Sequence, residues 1–187
     1  MLLEVVKYGN PVLRQKGRSI EKVTPEVSQL IRDMLDTMYA AHGIGLAAQQ
    51  VGKDLRLTVI DVSPIEDRPS WMEINGNRVE VNKQMPLTLI NPELEMLGEY
   101  VTGAEGCLSF PEIYSDIPRP SEIRVKAMNA DEQQMEFTAG GLLSRAIQHE
   151  TDHLNGILFI DRMSMTDRKE LKTAIEAVRM STLQKLS

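Results

Sequence analysis

The chain has 187 residues, 42% hydrophobic and 26% charged, with a formal net charge of −6, which fits one ordinary globular domain over residues 1–187 and is short for two. The acidic balance argues against general affinity for nucleic acid or anionic membranes, and a single Cys excludes an intrachain disulfide and hence a secreted disulfide scaffold. Aromatics make up only 4%, so Leu, Ile, Val and 11 Met must fill the core.

The opening stretch, MLLEVVKYGNPVLRQKG, breaks its apolar run at Glu4 and Lys7 and lacks the apolar region of a signal peptide. No run approaches 18 apolar residues, so no membrane-spanning helix is expected and a cytoplasmic protein is. From Thr24 to His42 the residues Val27, Leu30, Ile31, Met34, Leu35 and Met38 form one helical stripe. Thr24 reads as its N-cap, Pro25 as its first residue and Gly43 as its stop. A strand is expected at 55–62. Residues 63–86 form a polar excursion with a hairpin about Asn75-Gly76. Short strands follow at 87–90, 94–102, 121–128 and 133–138. Turns rather than helices separate them, which indicates antiparallel sheets and an α+β class. A second helix covers Leu142–Asn155, is largely buried and stops at Gly156. A third, amphipathic helix at 167–183 places Leu171, Ala174, Ile175 and Val178 on one face. The segment 167–187 carries five basic and three acidic residues.

The second helix contains His149-Glu150-Thr151-Asp152-His153. Two His at i and i+4 share a helical face, so both imidazoles can reach one metal ion. Glu150 sits about 100° round from His149, near such an ion without having to bind it, where a carboxylate can handle protons. Two His leave a catalytic site incomplete. The metzincin pattern would need a third His at 159, which is Phe159; Glu170 and Glu176 lie downstream with nothing to mark them. Cys107, in Glu105-Gly106-Cys107-Leu108-Ser109, is the remaining candidate, since a metal-bound thiol becomes a thiolate.

Three blocks, GIGLAAQQ (43–50), EGCLS (105–109) and QHETDHLNG (148–156), resemble in order and separation the motifs of peptide deformylases. The resemblance covers nearly the whole chain. It implies antiparallel β-sheets packed around a central helix that carries HExxH, between an N-terminal and a C-terminal helix. It also implies removal of the formyl group from the N-terminal formyl-methionine of nascent polypeptides. Cys107, His149 and His153 would hold the metal, with Fe²⁺ as the native ion and Zn²⁺ or Ni²⁺ in purified samples. Glu150 would be the general base and acid. The Leu108 N–H and the Gln50 amide would serve the oxyanion. Gly43, Ile44 and Gly45 would bind the peptide backbone, and Ile44, Leu142, Ala146 and the stem of Arg145 would line the methionine pocket. Glu105 would pair with Arg119 and fix the loop that presents Cys107.

Two departures touch substrate preference: Tyr114 replaces a basic residue of some members, and Arg145 stands where others are apolar. A monomer is expected; the basic C-terminal helix reads first as a solvated amphipathic face and second as a point of transient contact with the ribosome. Two other readings share these residues: an HExxH metallopeptidase or other N-acyl amide hydrolase, and a binding module with a structural metal.

Overall fold

A computed structural model describes residues 1–187. Helix α1 (Pro25–Ala40) forms on the expected stripe, with the Thr24 hydroxyl accepting the Val27 N–H at 3.3 Å. Its stop differs from the expected one. His42, not Gly43, takes the left-handed conformation (φ 54°), and the Gly43 N–H returns to the Met38 carbonyl at 2.9 Å.

Seven strands make one antiparallel sheet in the order β1-β2-β5-β6-β7-β3-β4. They are β1 Gly45–Ala47, β2 Leu57–Ile60, β3 Ser70–Ile74, β4 Asn77–Val79, β5 Leu87–Cys107, β6 Phe110–Met128 and β7 Gln134–Gly140. The strands expected at 87–90 and 94–102 are parts of one, β5, and the one at 121–128 is the end of β6. The turn formers that suggested breaks are absorbed as irregularities. Asn91 and Gly98 take positive φ where the β5–β6 register shifts. Pro118 and Pro120 lie opposite Thr102 and Tyr100, before β6 gains β7 as a second neighbour at Glu122. A missing N–H can therefore face an unpaired edge.

The excursion at 63–86 does turn at Asn75-Gly76 (φ 51° and 76°), the paired positive φ of a tight hairpin. It is also tied to the central helix α2 (Gly141–Leu154). The N-cap Gly140 has no side chain to offer. Instead the Leu142 N–H donates to the Pro69 carbonyl and the Leu143 N–H to the Ser70 hydroxyl, each at 3.0 Å. Gly141 holds φ 66°, and a Cβ there would strike the Pro69 carbonyl oxygen. Ser70→Ala should remove about 1 kcal/mol of capping, lowering Tm by about 2–4 °C. An unchanged melting curve would show that the cap contributes nothing.

Every residue of α2 from Leu142 to Leu154 is buried. Leu142, Leu143, Ala146 and Ile147 pack with Ile60, Leu89, Ile123, Val125 and Phe137 of the sheet. A second cluster joins Ile31, Met34 and Met38 of α1 to Leu46, Leu57 and Ile90. The C-terminal segment is two helices, α3 (Met165–Glu170) and α4 (Lys172–Leu186), meeting at Leu171. Of the expected apolar face only Ile175 is buried; Leu171 and Val178 are half-buried and Ala174 is exposed. No helix is long and apolar enough to cross a membrane.

Candidate metal centre

Three segments distant in sequence converge beside α2. The β5–β6 hairpin delivers Cys107 at the end of β5 and Leu108-Ser109 at its tip, with Cys107 opposite Phe110. Residues 111–113 bulge out of the ladder before Tyr114 meets Gly106, and Phe110 and Ile113 anchor the tip in a third core cluster with Phe159. Helix α2 delivers His149, Glu150 and His153. The third segment, the 3₁₀ turn Ala48–Val51 after β1, delivers Gln50.

One donor atom from each of Cys107, His149 and His153 lies within 4.8 Å of the other two. The Cys107 Sγ stands 3.3 Å from His153 Nε2, near the roughly 3.5 Å expected when a sulfur and a nitrogen share one tetrahedral ion at ordinary bond lengths. His149 Nδ1 is taken by Glu105 Oε2 at 2.9 Å, which leaves Nε2 as its free donor. This donor set fits a divalent cation with one open position.

Electrostatics support the same geometry. Burial opposes it, but hydrogen bonds to Cys107 and Glu105 raise the His149 pKa well above its usual value. Burial and the charge of His149 push His153 well below it. Protons and a metal thus compete for the same lone pairs. Burial drives Glu150 up to about 7, with the charge of His149 opposing, and its Oε2 is buried without a partner. Glu105 is held at about 2: burial works against it, and hydrogen bonds from Arg119 and His149 overcome that.

Gln50 is 2% exposed. Its Oε1 accepts the Ala47 N–H at 2.9 Å, which turns Nε2 toward Cys107 Sγ at 3.5 Å and Ser109 Oγ at 3.4 Å. Gln49 reaches the Gln15 carbonyl instead. Gly45 packs directly on Glu150, since a Cβ there would overlap its carboxylate.

Gly43, Ile44, Gly45, Gln50, Cys107, Leu108, His149 and Glu150 all line one cavity of about 580 Å³, with Leu142, Arg145 and Ala146 at its side. The exposed Tyr114 lines it too. Two candidates lie behind that wall: His153 is 1% exposed, and Arg119, at 2%, donates two bonds to Glu105. Arg145 does more than lend its stem. Its guanidinium donates to the carbonyls of Val101, Gly103 and Ile117 and to Glu105. Sequence reasoning gave no role to Asp152, although it lies inside the HETDH block. Asp152 accepts from Arg119 at 2.9 Å and from Arg162, so a chain of charged contacts runs from His149 to the partly exposed Arg162.

The sequence profile of the polypeptide deformylase family matches residues 2–169. The chain belongs to this family. Among its relatives, the peptide deformylase of Methylacidiphilum infernorum is 45% identical over 96% of this chain and 94% of its own. That of Acinetobacter baumannii is 40% identical over 95% and 92%. Two solved family structures superpose closely. The enzyme of Synechococcus elongatus, in complex with actinonin, gives a TM-score of 0.78 at 39% identity, covering 94% of this chain and 85% of that one. The enzyme of Plasmodium falciparum gives 0.84 at 30%, covering 98% and 99%. The expected α+β architecture is therefore the family's own.

Proposed function

We infer that the protein is a metal-dependent hydrolase that removes the N-formyl group from the N-terminal formyl-methionine of nascent polypeptides, releasing formate. One observation carries the reading: in a chain of the deformylase family, three converging Cys and His side chains able to hold one metal ion abut a cavity shared by a buried carboxylate near neutral pKa and a side-chain amide.

Cys107, His149 and His153 would hold the ion. A divalent cation there supplies Lewis acidity, making water nucleophilic at neutral pH and drawing charge from a carbonyl oxygen. The substrate's main chain lies along Gly43-Ile44-Gly45, the segment that leads into β1, itself an edge strand paired only with β2, so it is bound without its side chains being read. Its methionine enters the pocket of Ile44, Leu142, Ala146 and the Arg145 stem. Glu150 takes a proton from the attacking water; the Leu108 N–H and the Gln50 amide donate to the developing oxyanion. Glu150 then returns the proton to the departing amine. Glu105 and Arg119 hold His149 in one tautomer throughout.

Fe²⁺ is the working ion of this proposal; Zn²⁺ or Ni²⁺ can occupy the same donors in purified samples. The chain acts in the cytoplasm as a monomer of one domain, residues 1–187, with transient ribosome contact through the C-terminal helix α4. Anaerobic purification, metal analysis and a formyl-Met peptide assay test the function directly. No formate released with Fe²⁺ bound would overturn it. Gly45→Ala should retain the metal and lose at least about tenfold in kcat, because the added methyl displaces the Glu150 carboxylate from its position. Wild-type kcat would show that the carboxylate position does not matter.

A further inference from the structure

Gln50 and Leu108, the two oxyanion donors, sit on elements that share no ladder: a 3₁₀ turn after β1 and the tip of the β5–β6 hairpin. Their separation must nonetheless be held to a fraction of an ångström for both to meet one oxygen atom. Residues 6–8 bind both elements. The Val6 N–H donates to the Gln50 carbonyl at 2.9 Å, and the Tyr8 N–H to the Ser109 carbonyl at 2.9 Å. Between them the Lys7 ammonium donates to the Leu108 carbonyl at 2.7 Å. The Tyr8 ring stacks on Phe110 with centroids 4.8 Å apart, fixing the strap where the hairpin turns.

Lys7 is half-buried, lines the cavity beside Gln50, Cys107 and Leu108, and has no carboxylate within ion-pair distance. A surface lysine commonly pairs with a carboxylate. This one is held against a main-chain carbonyl at the wall where negative charge develops.

We propose that Lys7 is a positioning residue for deformylation: by fixing the Leu108 carbonyl it sets the hairpin tip, and with it the Leu108 N–H, against Gln50. This rests on the deformylase function of the site. The ammonium neither ligates the metal nor moves a proton. Its effect falls on the transition state, where the oxyanion exists, and not on substrate affinity.

The test compares Lys7→Met, which keeps the apolar stem, with Lys7→Arg, which restores a cationic donor. Both are assayed with Fe²⁺ bound on a formyl-Met peptide, with metal stoichiometry and Tm measured alongside. Lys7→Met should lose about tenfold in kcat, with KM within about twofold and metal content unchanged; Lys7→Arg should recover most of the rate. An unchanged kcat in Lys7→Met, a loss confined to KM, a loss that follows metal content, or an Arg variant as slow as the Met variant would each overturn the proposal. A wild type that releases no formate would overturn the function and this inference together, whereas an active wild type with an equally active Lys7→Met variant would overturn the inference alone.

Discussion

Glu150→Gln should keep fold and metal while losing about 10²–10⁴ in turnover, the range of a positioned general acid–base. The substitution is isosteric and removes only the capacity to take and return a proton. The alternatives give different outcomes. A structural metal site predicts little functional loss. A metallopeptidase predicts that the wild type cleaves internal peptide bonds, which the same protein samples can report. The buried carboxylate adds a check independent of activity. Its pKa of about 7 in the fold exceeds the ordinary 4.5 of a glutamate, so the contribution to stability is complete below pH 4.5 and is lost as pH rises through 7. By pH 8 that loss amounts to about 3 kcal/mol for the metal-free protein. Glutamine carries no such penalty. Metal-free Glu150→Gln should therefore melt above the metal-free wild type at pH 8, with the gap closing toward pH 5. A gap that does not move with pH would mean that Glu150 is not the buried acid of the site.

The first two helices were legible because their information is local, whereas the one expected at 167–183 breaks in two at Leu171. The stripe from Thr24 to His42 and the run Leu142–Asn155 each carry their own period, and Thr24 caps where its hydroxyl can reach Val27. The long strands were not legible. Asn91, Gly98, Pro118 and Pro120 are turn formers by type, and only the sheet edge and its bulges decide that the chain continues through them. Within the site, His149, Glu150 and His153 could be placed from helical spacing alone, because one element holds all three. Cys107, Gln50 and Leu108 are brought to them by topology: Cys107 could be reached only as the remaining donor able to complete the two His, and the roles of Gln50 and Leu108 came from matching blocks and not from any period. The pairing of Glu105 with Arg119 came from the same resemblance, and the structure joins the two.

The partners of that pair were missed because charge alone does not say where a long side chain will end. Arg145 is an i−4 neighbour of His149 on α2, which suggested a pocket wall; its head in fact ties β5 and β6 to the helix. Lys7 and Arg162 belong to no motif, and nothing in the local sequence sets them apart from any surface cation. Only the fold reveals that the Lys7 ammonium closes on a hairpin more than a hundred residues away.

Arg119→Ala should be the most damaging change outside Cys107, His149 and His153. Arg119 is 2% exposed and bonds both Glu105 and Asp152. Removing one member of a buried, hydrogen-bonded charge network costs about 3–5 kcal/mol, because the remaining charges stay buried. For a chain of this size that is a fall in Tm of roughly 6–20 °C. Metal affinity should fall about 10–100-fold as well, since the Glu105 carboxylate that orients His149 loses its anchor. Arg119→Lys restores charge without the two-pronged fork and should fall between the two. The pH dependence separates charge from packing. The Arg119 and His149 hydrogen bonds hold Glu105 at about 2 in the fold, against the ordinary 4.5 of a glutamate. Its stabilising contribution is therefore present above pH 4.5 and is lost as pH falls toward 2. Arg119→Ala forfeits much of that contribution at neutral pH, so the difference in Tm between the metal-free wild type and variant should shrink as pH is lowered from 6 to 3. A difference that stays constant over that range would assign the value of Arg119 to packing, and the metal-binding loss would then have to arise from a displaced hairpin and not from an unanchored carboxylate.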